Sequence, residues 1–224
     1  MKKILQKFFR GYAVLEEINS PINGKIQVWE DWFSKKRLVV SGISQSGEPV
    51  EKIWNTAIKQ LSNLAIKNCL ILGLGAGSAA RLISQKWPGV KIIGIEIDPE
   101  MIRLGKKYFG LVEVENLEVK IEDALSCSND PPAGEAGLYH DSRKFDLVLV
   151  DLYLGDQVPA GAETDEFIKR IQKCLSSKGI VIFNRLYYEK KKEKTDKFGE
   201  KLEKIFAKIE AKKTSTNKLF LCQK

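Results

Sequence analysis

Short apolar runs alternate with amphipathic segments from residue 68 to the end of the chain. Five of these runs are rich in β-branched residues and predict strands: "NCLILG", "VKIIGIEI", "LEVKI", "FDLVLVD" and "GIVIFNRL". Apolar residues recur at helical spacing in the stretches 79–86, 99–109 and 165–175. Strands that alternate with helices predict a parallel sheet joined by helical crossovers, so we expect an α/β fold.

The two ends of the chain depart from this alternation. The final "NKLFLCQK" predicts one more strand, inserted antiparallel at the sheet edge. Near the amino terminus, "GYAVLEEI", "GKIQVWE" and "KRLVVSG" are separated by turn-forming residues and predict a small antiparallel β-meander. A helix over residues 50–66 follows it. We predict an amino-terminal β-strand appendage at 1–48 and a Rossmann-like nucleoside-binding domain at 49–224.

The net charge of +8 is concentrated in residues 190–218, which hold eleven lysines against five acidic residues. Apolar residues recur there at helical spacing: Phe198, Leu202, Ile205, Phe206 and Ile209. We therefore predict a helix that packs one face on the core and exposes its lysines. A nucleic-acid surface is the less favoured interpretation, because no RNA-binding motif accompanies the charge.

Cysteine usage and hydropathy indicate the compartment. The four cysteines lie far apart, with neither paired metal-ligand spacing nor a disulfide framework, at Cys69, Cys127, Cys174 and Cys222. The amino terminus lacks the continuous apolar region of a secretory signal, and no apolar stretch approaches the roughly 20 residues that cross a bilayer. We predict a cytoplasmic protein without a metal site or a membrane partner.

Three alternating glycines stand where the first strand of the series meets its helix, in "LILGLGAGSAARLI". Glycines there let the backbone come close to a ligand, and the following helix offers unpaired N–H groups. A dinucleotide fingerprint would need glycine at position 78, which is Ser78. The spacing of Gly73, Gly75 and Gly77 instead resembles loops that hold the amino-acid tail of S-adenosylmethionine. A tight turn without a ligand is the alternative.

Carboxylates follow the next two strands. Glu96 ends the second strand of the series, where it can accept hydrogen bonds from both ribose hydroxyls. Asp98 and Pro99 instead form the expected start of a helix. Asp123 follows the third strand and is a candidate acceptor for the adenine amino group, or else a cap for the next segment. Ile97 and Ala124, beside these carboxylates, join the predicted cofactor contacts.

Asp151 ends the fourth strand of the series, next to the crevice in which open α/β sheets bind ligands. A carboxylate there can orient or deprotonate an amine nucleophile, and a turn-forming role is the alternative. The preceding loop, residues 127–143, is rich in turn formers and is predicted as an insertion. Its His140, the single histidine, is predicted as a solvent-exposed loop residue.

The glycine loop, "GIEIDPEMIRLGKKYFG", "EDAL" and "FDLVLVDLYLGDQVP" together resemble the spermidine synthase-like family, a branch of the class I S-adenosylmethionine-dependent methyltransferase fold. The resemblance extends over nearly the whole chain. It implies a mostly parallel sheet whose last strand is antiparallel, and it places a cofactor-contacting glutamine at Gln45.

Three features depart from true aminopropyltransferases, as the resemblance describes them. Ala76 replaces the aspartate that helps hold the aminopropyl group, and Trp54 with Asn55 replaces a Tyr-His pair of the polyamine pocket. The aspartate that accompanies Asp151 is displaced to Asp156 or lost. The nucleoside half of the predicted site thus follows the family, whereas the acceptor half differs.

These observations predict a transferase that binds S-adenosylmethionine and methylates an unidentified small-molecule nucleophile, with an amine among the candidates. Aminopropyl transfer from decarboxylated S-adenosylmethionine to a diamine is the alternative. A non-catalytic binding module is the second alternative, and the glycine spacing disfavours an NAD-type ligand. The resemblance also suggests a homodimer through the amino-terminal strands.

Overall fold

The computed structural model describes residues 2–126 and 144–224. The predicted insertion, with Cys127 and His140, lies outside the described residues. Six helices are found: α1 (Lys2–Arg10), α2 (Glu48–Ile58), α3 (Ser78–Lys86), α4 (Pro99–Tyr108), α5 (Asp165–Cys174) and α6 (Lys192–Glu203). Eleven strands accompany them in this part of the chain: β1 (Tyr12–Ser20), β2 (Gly24–Asp31), β3 (Lys36–Val40), β4 (Ile43–Gly47), β5 (Asn68–Leu72), β6 (Lys91–Glu96), β7 (Leu117–Ile121), β8 (Phe145–Val150), β9 (Leu175–Leu186), β10 (Lys208–Lys213) and β11 (Asn217–Gln223).

The larger sheet has seven strands in the order β10-β11-β9-β8-β5-β6-β7. Strands β5 to β9 pair in parallel, and β11 inserts antiparallel between β9 and β10. The order reverses beside β5, so the crossovers place helices on both faces of the sheet. The predicted mostly parallel α/β sheet with an antiparallel last strand is confirmed. The predicted edge position of that strand is wrong, because β10 pairs outside β11 and forms the edge.

The smaller sheet is an antiparallel meander of four strands, β1-β2-β3-β4. The sequence predicts three of them, and β4 is the addition. Helix α2 follows directly and ends at Ile58, with one further 3-10 turn, so the helix predicted over 50–66 was too long. The Ser62 hydroxyl donates a hydrogen bond to the backbone oxygen of Lys59 at 2.8 Å, a local bond typical of a helix end. Helix α1 lies in a segment for which no element was predicted.

The basic segment forms a helix and a strand instead of one long helix. Helix α6 ends at Glu203, and Ile209 lies on β10 rather than on the helix, which corrects the prediction. Among the described strands, β10 pairs only with β11, and the side chains of its sequence "KIEAKK" alternate across the pleat. An edge strand carrying lysines resists pairing with other chains.

The core has three parts. One cluster packs α2 and α3 on one face of the large sheet, and a second packs α5 and α6 on the other. In the third, apolar residues of β2 and β3 contact Met101 and Leu104 of α4. The meander therefore packs on the large domain beside the carboxyl ends of its strands. The predicted domain boundary at residue 48 falls at the start of α2 and stays a prediction. No helix among the described residues is long and apolar enough to cross a membrane.

Candidate ligand site

An open cavity lies at the carboxyl ends of β5, β6 and β8. Open α/β sheets bind ligands at this edge, beside the point where the strand order reverses. Eight of the nine residues predicted as cofactor-binding or catalytic line this cavity: Gln45, Gly73, Gly75, Glu96, Ile97, Asp123, Ala124 and Asp151. Tertiary structure thus gathers residues that are up to a hundred positions apart in the sequence.

The glycine loop needs its glycines for two different reasons. Gly73 has φ +86°, and a Cβ there would lie 2.2 Å from the backbone oxygen of Asp151, so only glycine allows this close approach. Gly77 precedes α3 with φ +91°, and its α-carbon faces Leu111. Gly77 is not among the residues that line the cavity in the described chain. Its contact with a cofactor stays a prediction, and the structure gives it a role in the turn.

Glu96 connects the glycine loop to the end of β6. Its buried carboxylate accepts hydrogen bonds from the backbone N–H groups of Gly75 at 2.7 Å and Asp98 at 3.0 Å. Burial raises the pKa of Glu96, and these backbone N–H groups oppose that shift. The side chain holds the loop and presents carboxylate at the cavity wall, where the predicted ribose contact requires it.

Asp98 caps α4 as predicted, because its carboxylate accepts a hydrogen bond from Glu100 N–H at 2.9 Å. The same fully buried carboxylate also accepts hydrogen bonds from the Ser20 hydroxyl and, at 2.7 Å, from the Asn23 amide. These contacts fasten the β1–β2 turn to the start of α4. The sequence did not predict them, because they join residues more than seventy positions apart.

Asp123 caps the segment that follows it and also borders the cavity. Its Oδ1 accepts a hydrogen bond from Leu125 N–H at 2.9 Å, which is the predicted local cap. The residue also lines the cavity together with Glu122 and Ala124. Capping therefore does not remove Asp123 from the site, and its contact with an adenine stays a prediction.

Asp151 lies at the end of β8 and borders a second cavity as well. This second cavity lies between β4 and α2 on one side and the ends of β9 and β11 on the other. Gln45, Val50, Asp151 and Tyr153 line both cavities. The two spaces are therefore adjacent, and the Asp151 carboxylate stands where they meet.

The surroundings of Asp151 set its protonation. Burial raises its pKa to about 6, because a carboxylate loses hydration there. The Asn184 amide donates a hydrogen bond to Oδ1 at 2.8 Å and, with the nearby charge of Arg185, opposes the shift. The Trp54 indole N–H also favours the charged form, although it donates no well-aligned hydrogen bond to any of the described residues.

Several residues around Asp151 escaped the sequence analysis. Asn184 and Arg185 are buried polar residues at the end of β9, in "GIVIFNRL". Tyr153 accepts a hydrogen bond from Leu186 N–H at 2.9 Å and donates one to the backbone oxygen of Asn184 at 3.1 Å. Two polar residues that end an otherwise apolar strand were the available signal, because that strand end meets the same sheet edge as Asp151.

The positions that differ from aminopropyltransferases have distinct surroundings. Ala76 is fully buried in the cluster between the meander and α4, and its N–H donates to the Ser46 hydroxyl at 3.1 Å. Trp54 lines the first cavity, whereas Asn55 lines neither cavity. Asp156 forms an ion pair with Lys191 at 2.9 Å and lines neither cavity beside Asp151.

The described residues contain neither a metal-ligand cluster nor an exposed cysteine. No cluster of three or more His, Cys, Asp or Glu side chains there is arranged to hold a metal ion. Cys69, Cys174 and Cys222 are buried, and burial raises the pKa of the Cys69 thiol. These cysteines pack in the core, away from both cavities.

The fold and the strand-end cavity define a Rossmann-like α/β protein with a ligand site of the kind that open α/β sheets form. Residues 66–221 match the family model described as a methyltransferase domain, and the chain belongs to that family.

Curated relatives divide between two activities. The chain is 32% identical over 116 residues to the eEF1A lysine and N-terminal methyltransferase of Mus musculus, covering 51% of this chain and 16% of that protein. It is 30% identical over 124 residues to the polyamine aminopropyltransferase of Vibrio vulnificus, covering 55% of this chain and 39% of that protein. The chain therefore spans less than half the length of each.

Among solved structures, the spermidine synthase of Thermotoga maritima has a similar fold. It matches with a TM-score of 0.72 at 18% identity, over 93% of this chain and 72% of that one. That coverage extends beyond the methyltransferase-domain match into the amino-terminal segment. The resemblance to the spermidine synthase-like branch of the methyltransferase fold is confirmed.

Proposed function

We propose that the chain is an S-adenosylmethionine-dependent transferase that methylates a small nucleophile held beside Asp151. The position of Asp151 between two adjacent cavities carries this proposal. One cavity has the glycine loop and the strand-end carboxylates of a nucleoside site. The other offers space for a second reactant. Membership of the methyltransferase-domain family supports the reaction class.

The residues present fit such a cofactor. Glu96 offers a fixed carboxylate for the ribose hydroxyls, and Asp123 lines the same cavity for the adenine. Gly73 and Gly75 bring the backbone to the cavity wall without side chains. When bound, the cofactor supplies a methyl group that the positive charge on its sulfur makes reactive.

Asp151 orients the nucleophile and accepts a proton from it. With its pKa raised to about 6, the carboxylate is charged at neutral pH yet is a better base than an ordinary aspartate. Asn184 fixes the direction of the carboxylate by donating to Oδ1. The protein's main contribution is alignment of the reactants, which lowers the entropic cost of their encounter.

The first experiment compares S-adenosylhomocysteine with methylthioadenosine as ligands of the full chain. Both contain thioadenosine, and they differ in the arm on sulfur. A ligand that binds only the native state raises Tm according to its affinity. We expect a clearly larger shift with S-adenosylhomocysteine, and equal or larger shifts with methylthioadenosine would favour aminopropyl transfer. If neither compound raises Tm, the proposal is wrong.

Aminopropyl transfer is the second candidate, and the likeness to a spermidine synthase over 93% of the chain favours it. The surroundings of Ala76 disfavour it, because this position packs in the apolar cluster and does not line the cavity. Release of methylthioadenosine from decarboxylated S-adenosylmethionine and putrescine would establish this activity. No release with several diamines would exclude it.

The remaining expectations concern partners and location. A homodimer through the amino-terminal strands and a cytoplasmic location are proposals that follow from the resemblance and the cysteine pattern. We do not propose nucleic-acid binding, because Lys194 and Lys201 of the basic helix form ion pairs with Glu163 and Asp165. Size measurement of the purified chain in solution tests the dimer.

A further inference from the structure

The second cavity has two different walls. Its α2 side is apolar, with Pro49, Val50 and Ile53. Its opposite side includes Leu186 but is mainly polar, because Asn184, Asn217 and Thr216 bring amide and hydroxyl groups from the ends of β9 and β11. A molecule with an apolar body and one polar end matches this division, because each part then meets a wall of its own kind.

The polar wall is a directional chain of hydrogen bonds. The Thr216 hydroxyl donates to Asn217 Oδ1 at 2.6 Å, Asn217 Nδ2 donates to Asn184 Oδ1 at 2.8 Å, and Asn184 Nδ2 donates to Asp151 Oδ1 at 2.8 Å. An ionised carboxylate only accepts, so Asp151 fixes the orientation of both amides. Asn184 and Asn217 are each 4% exposed, so these groups are built into the wall.

Asp151 is the single charged side chain among the described residues that line this cavity. Three other acidic residues near the site are neutralised elsewhere. Asp156 pairs with Lys191 at 2.9 Å, Glu163 with Lys194 at 2.9 Å, and Asp165 with Lys201 at 3.2 Å. From the described residues, the cavity therefore offers one negative charge to a ligand.

We infer that the second cavity takes a monoamine with an apolar body, in preference to a diamine. This inference rests on the proposed function and specifies its acceptor. One ammonium group finds a counter-charge in Asp151, whereas a second ammonium in the same cavity would lose hydration without a carboxylate partner. The uncharged amides of Asn184 and Asn217 cannot replace that partner.

Methyl transfer to a monoamine needs a base for the ammonium proton and a leaving group for the methyl carbon. Asp151 removes one proton from the ammonium, and the nitrogen lone pair then forms the new N–C bond to the methyl group. The S–C bond breaks with its electron pair left on sulfur, which becomes a neutral thioether. The product is a methylated ammonium and a protonated Asp151, which returns its proton to water.

The test compares n-butylamine with 1,4-diaminobutane, which differ by one terminal ammonium. Each is titrated at pH 8 into the full chain saturated with S-adenosylhomocysteine. We expect n-butylamine to bind more tightly by about tenfold or more, and Asp151→Asn to abolish this binding. Equal or tighter binding of the diamine, or failure of both amines to bind, would overturn the inference.

A charge added to the cavity should reverse the preference. Ser44 lines the second cavity outside the hydrogen-bonded chain of its polar wall. We expect Ser44→Asp to increase the affinity for 1,4-diaminobutane by about tenfold, and the uncharged control Ser44→Asn to leave the preference for n-butylamine unchanged. An unchanged ratio of affinities in Ser44→Asp would contradict the assignment. Failure of the wild-type chain to bind S-adenosylhomocysteine would instead refute the proposed function.

Discussion

The two cavities beside Asp151 differ in how the chain builds them. The first is formed mainly by turns that directly follow consecutive strands, with the glycine loop after β5, Glu96 at the end of β6 and Asp123 after β7. The second is formed by β4, α2 and the ends of β9 and β11, segments that are far apart in the sequence. A site built at successive strand ends has a recognisable motif, whereas a site assembled from distant segments has none.

Asp151→Asn is expected to have the largest effect, because it acts where the two cavities meet. Removing a positioned base typically costs about a hundredfold or more in turnover. S-adenosylhomocysteine formation with n-butylamine, measured from pH 5 to 8, should fall by that factor. In the wild type, turnover should rise as Asp151 loses its proton near its pKa of about 6.

The matched control is Asp146→Asn, at the opposite end of the same strand. Asp146 accepts hydrogen bonds from the N–H groups of Lys67 and Asn68, away from both cavities. The turnover of Asp146→Asn should match that of the wild type. A turnover in Asp151→Asn within about threefold of the wild type would mean that Asp151 has no catalytic role.

Glu96→Ala should affect the first cavity alone. Hydrogen bonds to a charged group contribute about 1.5–3 kcal/mol, so the affinity for S-adenosylhomocysteine should fall by about tenfold to a hundredfold. Calorimetric titration measures this affinity. The partly exposed neighbour Glu100, which pairs with Arg103, provides the control Glu100→Ala. Unchanged affinity in Glu96→Ala would remove Glu96 from the nucleoside site.

Ser20→Ala should weaken the attachment of the meander to the start of α4. The buried Ser20 hydroxyl donates to Asp98 and accepts from the N–H groups of Ile22 and Asn23. Its loss should lower the free energy of unfolding by about 1–2 kcal/mol, as measured by urea denaturation. The control Ser62→Ala removes a single exposed local bond. Equal stabilities of the two variants would contradict this attachment.

Asp151→Asn should also change stability, in the opposite direction to activity. The pKa of Asp151 in the folded protein is raised from 3.8 to about 6, so the folded state keeps a proton that the unfolded chain has lost between these values. The carboxyl therefore favours folding when it is protonated, and this contribution is lost as the pH rises through about 6.

The variant should accordingly be more stable than the wild type at pH 8, by about 1 kcal/mol after allowance for solvent in the cavities. The two proteins should be equally stable at about pH 4. Urea denaturation at both pH values measures the difference. A less stable variant at pH 8 would show that the hydrogen bond from Asn184 outweighs the cost of burying the charge.

Elements with strong periodicity were predictable, and their limits were less so. The alternation of strands with helices from β5 to β9 follows from local pattern, because a buried parallel strand is apolar throughout. The Asp98 cap of α4 also follows from local pattern, because a helix start needs a cap. The end of α2 and the change from α6 to β10 were missed. Ile209 keeps helical spacing with Phe206, yet pairing with β11 makes its segment a strand.

The sequence by itself determined the α/β class, the glycine loop and the carboxylates at three strand ends. These features depend on residues within a few positions of one another, so their chemistry is visible in the order of the chain. Only the tertiary structure decided the second cavity and the polar chain from Thr216 through Asn217 and Asn184 to Asp151. Strand pairing across the sheet creates that chain, since β11 returns antiparallel beside β9 and sets Asn217 against Asn184.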